Sequence, residues 1–295
     1  MVYAMKPADV GLAVMVVVIW GLAFVASRIA LDEFPPPLMT ALRFAIAAVP
    51  CLCVPRPKVP WPTLIAISFT LFLGQFLAQA YGIARGVPVG LSSVIVQSQA
   101  LFTIGFAVIA FREWPTPMQG VGIAIATVGL LMICGTVGYD FSVNAFAVLM
   151  ISPVSFAIGN LLLRRAQGAP MFDLFAWLCL TSAVPLFALA LATDGVAPTF
   201  QSLIHISLTG LLCMLALGGI STSIAYWLWG RLLRDYPAAQ IVPFALLVPF
   251  VGSAASSIVF SEKFGALRLA GMVTVVGGIA VMLLSKRPRP VAKLA

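Results

Sequence analysis

Within the apolar stretches of this 295-residue chain, hydrogen-bonding side chains are scarce and grouped. Gln75 and Gln79 stand one helical turn apart, with Tyr81 and Gly82 close by, and Ser92, Ser93, Gln97, Ser98, Gln99 and Thr103 crowd the next stretch. Thr222 and Tyr226 make another pair at the same spacing, flanked by Ser221, Ser223, Trp227 and Trp229. Trp20 and Asn160 sit at matching depths in two further stretches, Trp177 lies in another, and Arg43 is the only charge well inside an apolar run. In hydrocarbon a polar side chain faces protein or a water-filled cavity. Trp20, Arg43, Gln75, Gln79, Gln97, Asn160, Thr222 and Tyr226 are therefore the candidate substrate-binding residues. Amides, hydroxyls and aromatic rings suit a small neutral or zwitterionic solute, and Arg43 suits its carboxylate. The competing structural uses are interhelical hydrogen bonds for the amides and hydroxyls, and snorkelling or a helix-end carbonyl for Arg43.

Catalysis needs a nucleophile with a base, paired carboxylates or metal ligands, and the chain offers none of these in a recognisable cluster. Its nine acidic residues fall in loops or at the ends of apolar runs, and the sole histidine, His205, lies at the end of one. The five cysteines (Cys51, Cys53, Cys134, Cys179, Cys213) lack CxxC spacing and lie in apolar segments, where buried apolar packing is the natural use. No metal and no cofactor are expected. A proton relay usually needs an ionisable group at membrane depth, so transport without obligatory proton coupling is expected.

The elements that position these side chains follow from composition. With 62% hydrophobic and 9% charged residues and a mean hydropathy of +1.10, the chain cannot clothe a soluble globule and reads as an integral membrane protein. The net charge of +8 sits singly or in pairs between apolar runs, as orientation signals do, and does not indicate nucleic acid. Breaks at charge, proline and polar clusters give ten spans: about Asp9 to Leu31, Pro35 to Val54, Pro62 to Ala84, Pro88 to Phe111, Pro117 to Val137, Asn144 to Leu163, Met171 to Ala192, Leu203 to Leu232, Pro237 to Phe260 and Leu267 to Ser285. The first is too long for a signal peptide's core and has no clear cleavage site. Pro50, Pro153, Pro185, Pro243 and Pro249 lie inside spans, as kinks or as hinges.

Ten spans put both termini on one side. That side collects 12 of the 17 Lys and Arg residues (Lys6, Arg56, Lys58, Arg112, Arg164, Arg165, Arg231, Arg234, Lys286, Arg287, Arg289, Lys293), against Arg28, Arg85, Lys263 and Arg268 on the other. The positive-inside rule then makes the termini cytoplasmic.

The punctuation from Pro88 to Ile133 returns 149 residues later, from Pro237 to Met282. Each copy runs proline, long helix, Phe-x-Glu (Phe111-Arg112-Glu113; Phe260-Ser261-Glu262), short turn and a glycine-spaced helix (Gly122 and Gly129; Gly271 and Gly278). The glycines mark close packing, so the fifth and tenth spans are expected to brace the outside. Glu113 and Glu262 each precede a helix and read as structural carboxylates at its positive end. Two halves of five spans each, residues 1–139 and 140–295, enter from opposite sides. The expected fold is all-α integral membrane: ten transmembrane helices as a 5+5 inverted repeat, with a binding site at mid-membrane between the halves.

On these features, and on Trp20-Gly21 through Arg28 in the first span, the chain resembles the EamA type of the drug/metabolite transporter superfamily, nearest to bacterial inner-membrane exporters of amino acids, including aromatic ones. The second-half copy departs from the pattern, with Phe156-Ala157 in place of Trp-Gly. The resemblance implies an alternating-access carrier in the bacterial inner membrane, exporting amino acids and related metabolites through a cavity formed by the first four helices of each half. The expected partners are a small-molecule substrate and the lipid bilayer, for a monomer or weak homodimer. An exporter of hydrophobic drugs or of another metabolite class stays open as an alternative, as do a channel and an intramembrane enzyme.

Overall fold

Apolar runs that match the hydrocarbon thickness of a bilayer, roughly 20 residues in helical form, set the architecture. The computed structural model describes residues 5–138, 140–166 and 168–284, all in helices, turns and loops. In chain order the helices are α1 (Pro7–Ala30), α2 (Pro36–Ala47), α3 (Trp61–Ala84), α4 (Val89–Phe111), α5 (Pro117–Cys134), α6 (Val143–Ala166), α7 (Met171–Thr193), α8 (Val196–Ile204), α9 (Leu208–Asp235), α10 (Val242–Phe260) and α11 (Ala266–Leu284). Among the described residues nine of these, all but α2 and α8, are long and apolar enough to cross a membrane. Ile109, Leu131, Val184 and Ile258 are among the large apolar side chains left exposed, an exterior that lipid accepts.

Three of the ten expected spans differ, each for a local reason. The stretch from Pro35 to Val54 is a 12-residue helix followed by a 3₁₀ turn, Val49–Leu52. Pro50 has no N–H to continue the helix. The stretch from Leu203 to Leu232 is broken, because α8 ends at Ile204 and the Ser207 side chain accepts from the Gly210 N–H (3.0 Å) to start α9 afresh. From Pro237 to Phe260 a short helical turn, Ala238–Ile241, and a 3₁₀ segment, Val242–Leu247, precede the α-helix Val248–Phe260, with Pro243 and Pro249 at the two starts. Pro153 and Pro185, by contrast, lie inside unbroken helices. Tyr139, the expected dividing point, and Ser285, Lys286, Arg287, Arg289 and Lys293 lie outside the described residues.

Two helices 149 residues apart end in the same local form. The α-helices Gln99–Phe111 and Val248–Phe260 both end in a residue with left-handed backbone, Arg112 (φ 54°) and Ser261 (φ 55°). Such a φ is uncommon for a residue with a side chain. The cross-chain contacts are antiparallel. Asp9, near the start of α1, accepts from the Tyr236 hydroxyl just past α9 (2.6 Å), while Glu33, just past α1, pairs with Ser207 at the start of α9. In α3 and α6, Leu71 lies against Gly159 and Gly82 against Leu149.

α5 and α11 pack on each other through the glycines the sequence singled out. A Cβ on Gly129 would stand 2.8 Å from the Gly271 carbonyl oxygen, and one on Gly278 would stand 2.7 Å from that of Gly122. Beyond the end of α5, Arg268 in the first turn of α11 is buried and donates to both carboxylate oxygens of Asp140 (2.7 Å each). The hydrogen bond from Arg268 holds the Asp140 carboxyl below the usual carboxylate range.

Two expectations follow. Gly278→Leu lowers stability by about 1–3 kcal/mol through overpacking against backbone, whereas Gly277→Ala, at a site with open space, is neutral or raises it; thermal unfolding in detergent reads both. Because the folded Asp140 carboxyl titrates below its unfolded value, the pair stabilises at neutral pH and is lost as pH falls through that lowered value. Asp140→Asn is therefore less stable than the parent at pH 7, and the gap closes in acid.

Candidate functional site

Two helices depart from α geometry where the polar residues lie. Ser68–Gly74 in α3 and Leu215–Ile224 in α9 are wound as π-helix, a form that marks functional stretches more often than chance. The wide turns of α9 are filled by its own hydroxyls, with Thr222 Oγ1 donating to the Leu217 carbonyl (2.7 Å) and Ser223 Oγ to that of Gly218 (3.1 Å). At Gly218 the helix lies so close to α2 that a Cβ would stand 2.6 Å from the Arg43 carbonyl oxygen.

Further along, α9 diverges from α2, α3 and α7, and a cavity of about 420 Å³ opens between them. Its deep wall is Phe72, Phe175, Cys179, Thr222 and Tyr226, and its mouth carries Pro50, Met171, Gly230, Arg231 and Arg234. The rings form a connected surface, with centroids 5.7 Å apart for Phe72 and Phe175, 5.2 Å for Phe175 and Tyr226, and 5.3 Å for Tyr226 and Trp20. Such spacings fit edge and offset contacts. The lining holds no carboxylate; at the mouth, Asp235 lies 3.8 Å from Arg231 and 3.1 Å from Arg234.

Arg43 lies behind this wall. It is buried, with Nε donating to Thr222 Oγ1 (2.9 Å), Nη2 to Ser221 Oγ (3.4 Å), and its guanidinium 4.2 Å from the centre of the Phe76 ring. It neither snorkels nor binds a helix-end carbonyl, the structural uses its position suggested. Among the described residues it has no carboxylate within ion-pair distance. On its far side Ser27, Thr40, Phe76 and Gln79 close a crevice too tight for a water molecule.

The end of the bundle opposite the cavity mouth carries a tie between the two parts of the chain. Glu262, just past α10, accepts from the Val89 N–H (2.6 Å) and the Gly90 N–H (3.0 Å) at the start of α4. Its carboxylate therefore caps a helix from the other half of the chain, not the helix that follows it. At the mouth end Glu113 accepts two bonds from Arg164 (3.0 and 3.1 Å).

Of the eight candidate residues, Thr222 and Tyr226 line the cavity, and Arg43 and Trp20 touch them from behind, the Trp20 indole N–H donating to the Ser221 carbonyl (3.2 Å). Gln79 joins them through the crevice. Gln75, one turn earlier, is buried, and its Oε1 has no hydrogen-bond partner among the described residues. Gln97 lies away from the cavity, its amide donating to the Ala245 carbonyl (2.9 Å), and Asn160 lines neither void. Phe72, Phe76, Phe175 and Cys179 were missed because apolar residues in apolar runs carry no contrast; the one-turn spacing of Phe72 and Phe76 was the available signal.

The profile of the EamA-like transporter family matches the chain twice, over residues 9–135 and 144–284. A Salmonella typhimurium protein named probable amino-acid metabolite efflux pump is 33% identical over 99% of this chain and 100% of its own length. An Escherichia coli K12 protein of the same name is 32% identical over 98% of this chain and 99% of its own. A crystal structure of a protein 17% identical in sequence superposes with a TM-score of 0.65 over 94% of this chain and 96% of that one, a likeness of fold.

A buried acceptor without a donor costs about 1–3 kcal/mol. Gln75→Leu should therefore raise the unfolding temperature in detergent, and it should lower solute flux if that amide oxygen serves a substrate.

Proposed function

The chain belongs to the EamA-like transporter family, and we propose that it exports amino acids, aromatic ones included, and related small metabolites by alternating access. The observation that carries this reading is the cavity of about 420 Å³, which is walled by α2 and α3 from one half and α7 and α9 from the other. It opens at one end, and at the opposite end of the bundle Glu262 ties α10 to the start of α4. The volume falls within the roughly 300–1,000 Å³ of small-molecule sites, and the ring surface of Phe72, Phe175 and Tyr226 suits an aromatic side chain. The relatives' name, probable amino-acid metabolite efflux pump, points the same way.

In this reading residues 1–139 and 140–295 are two five-helix units of opposite orientation, with α2 and its 3₁₀ turn as the remaining crossing. The two family matches, the paired left-handed residues Arg112 and Ser261, and the antiparallel α1–α9 and α3–α6 contacts support it. Units so related can trade conformations, which opens the site to one side and then the other. The excess of Lys and Arg at the termini end makes that end cytoplasmic, so the cavity faces inward. The acidic residues stay at helix ends and loops, and the solute moves down its own gradient.

Gly230 lines the mouth and has open space beside it, with nothing within 4 Å of an added Cβ. Gly230→Trp should fill the entrance, leave folding intact and abolish saturable amino-acid flux in proteoliposomes. Unchanged flux in that variant would sink the assignment of this cavity. Preferred flux of cationic dyes over amino acids would favour the drug-export alternative.

A further inference from the structure

Arg43 separates two voids. On one side Thr222, bonded to its Nε, faces the large cavity; on the other Arg43 itself closes the crevice against Ser27, Thr40 and Gln79. Toward the tied end the crevice, lined from α1, α2 and α3, lies beyond this guanidinium. Its partners there are neutral: two hydroxyls and the Phe76 ring. A buried cation is strongly disfavoured without an anion, and neither the cavity lining nor the crevice contains a carboxylate. The bond to Ser221 is long, at 3.4 Å. Thr222 keeps its own bond to the Leu217 carbonyl when Arg43 leaves it.

We propose that Arg43 is the specificity-determining residue of the transport cycle: it admits solutes bearing a carboxylate, and that carboxylate takes the guanidinium from Thr222 and Ser221. The exchange removes the polar tie between α2 and α9 and frees the crevice to open on the far side. A cationic amine lacking the carboxylate meets Arg231 and Arg234 with their partner Asp235 at the mouth and then Arg43, with no acidic group in the wall to receive it. This inference rests on the transport reading above and deepens it by naming the substrate class.

The test is counterflow in proteoliposomes loaded with phenylalanine, comparing external phenylalanine with phenethylamine, which keeps the ring and the amine and lacks the carboxylate. Wild type should favour phenylalanine by at least about 10-fold, the lower range for a hydrogen bond to a charged group. Arg43→Met should erase that preference and Arg43→Lys should keep part of it. Thr222→Val removes the nearer of the cation's two hydroxyl partners and should preserve the preference or increase it. Equal transport of both compounds by the wild type overturns the proposal without recourse to any variant. An undiminished ratio in a folded Arg43→Met protein does the same. If the wild type moves neither compound and no other amino acid, the transport reading fails, and this inference with it.

Discussion

Close approach between the two parts of the chain is the constraint on which the rest of the structure depends. Lipid tails are as apolar as leucine, so helices in a membrane are held by packing and hydrogen bonds more than by exclusion from water. Here the packing is made where a missing side chain lets one backbone touch another. The α5–α11 pair shows it most clearly: Gly129 lies against Gly271, and Gly122 against Gly278. The contact is reciprocal, because Gly122 and Gly271 occupy one position of the repeated pattern and Gly129 and Gly278 the other. A single helix, α9, uses the same device to shape the site. It is pinned to α2 at Gly218 and released from its neighbours at Gly230, and the wedge between those points is the cavity.

Polar groups inside the bundle follow a second discipline. Most hydroxyls return to the backbone of their own helix: Ser27 donates to Ala23, Thr40 to Pro36, Ser92 to Pro88 and Thr103 to Gln99. They need nothing from a neighbour and exert no pull on a solute. Carboxylates gather at helix ends and in loops, where Glu262 takes the free N–H groups at the start of α4 and Glu113, Asp140 and Asp235 take arginines. Against that background Arg43 stands apart, a charge at depth whose contacts are borrowed from the helix across the cavity.

Much of this was legible in the sequence. Hydropathy located the spans, because the need to cross hydrocarbon is written residue by residue. The spacing of Gly122, Gly129, Gly271 and Gly278 announced a packing face, and the scarcity of polar residues at depth made Thr222, Tyr226 and Arg43 conspicuous. Length alone misled at Pro50 and at Ser207, where a missing donor and a helix cap interrupt an otherwise apolar run. Gln97 illustrates a deeper limit. An amide at depth serves a solute or a neighbouring carbonyl, and only the path of the chain near Ala245 decides which. The roles of Phe72 and Phe175 were invisible for the opposite reason, since a ring that faces a cavity is spelled like one that faces lipid.

The wide winding of α9 between Leu215 and Ile224 constrains how this helix can change. Each residue of an α-helix advances about 100° around the axis. Losing one residue from that stretch would let it relax to α winding, whose tighter turns offset most of that angle, so the face downstream is largely kept. Thr222 would lose the carbonyl five positions back, while Tyr226, Trp227 and Arg231 would keep to the cavity wall; a residue lost between Ala225 and Arg231, where the winding is already α, would swing Arg231 off it. A deletion is therefore absorbed by the wide segment, whereas in the α-wound turns beyond it the same change reassigns every face that follows.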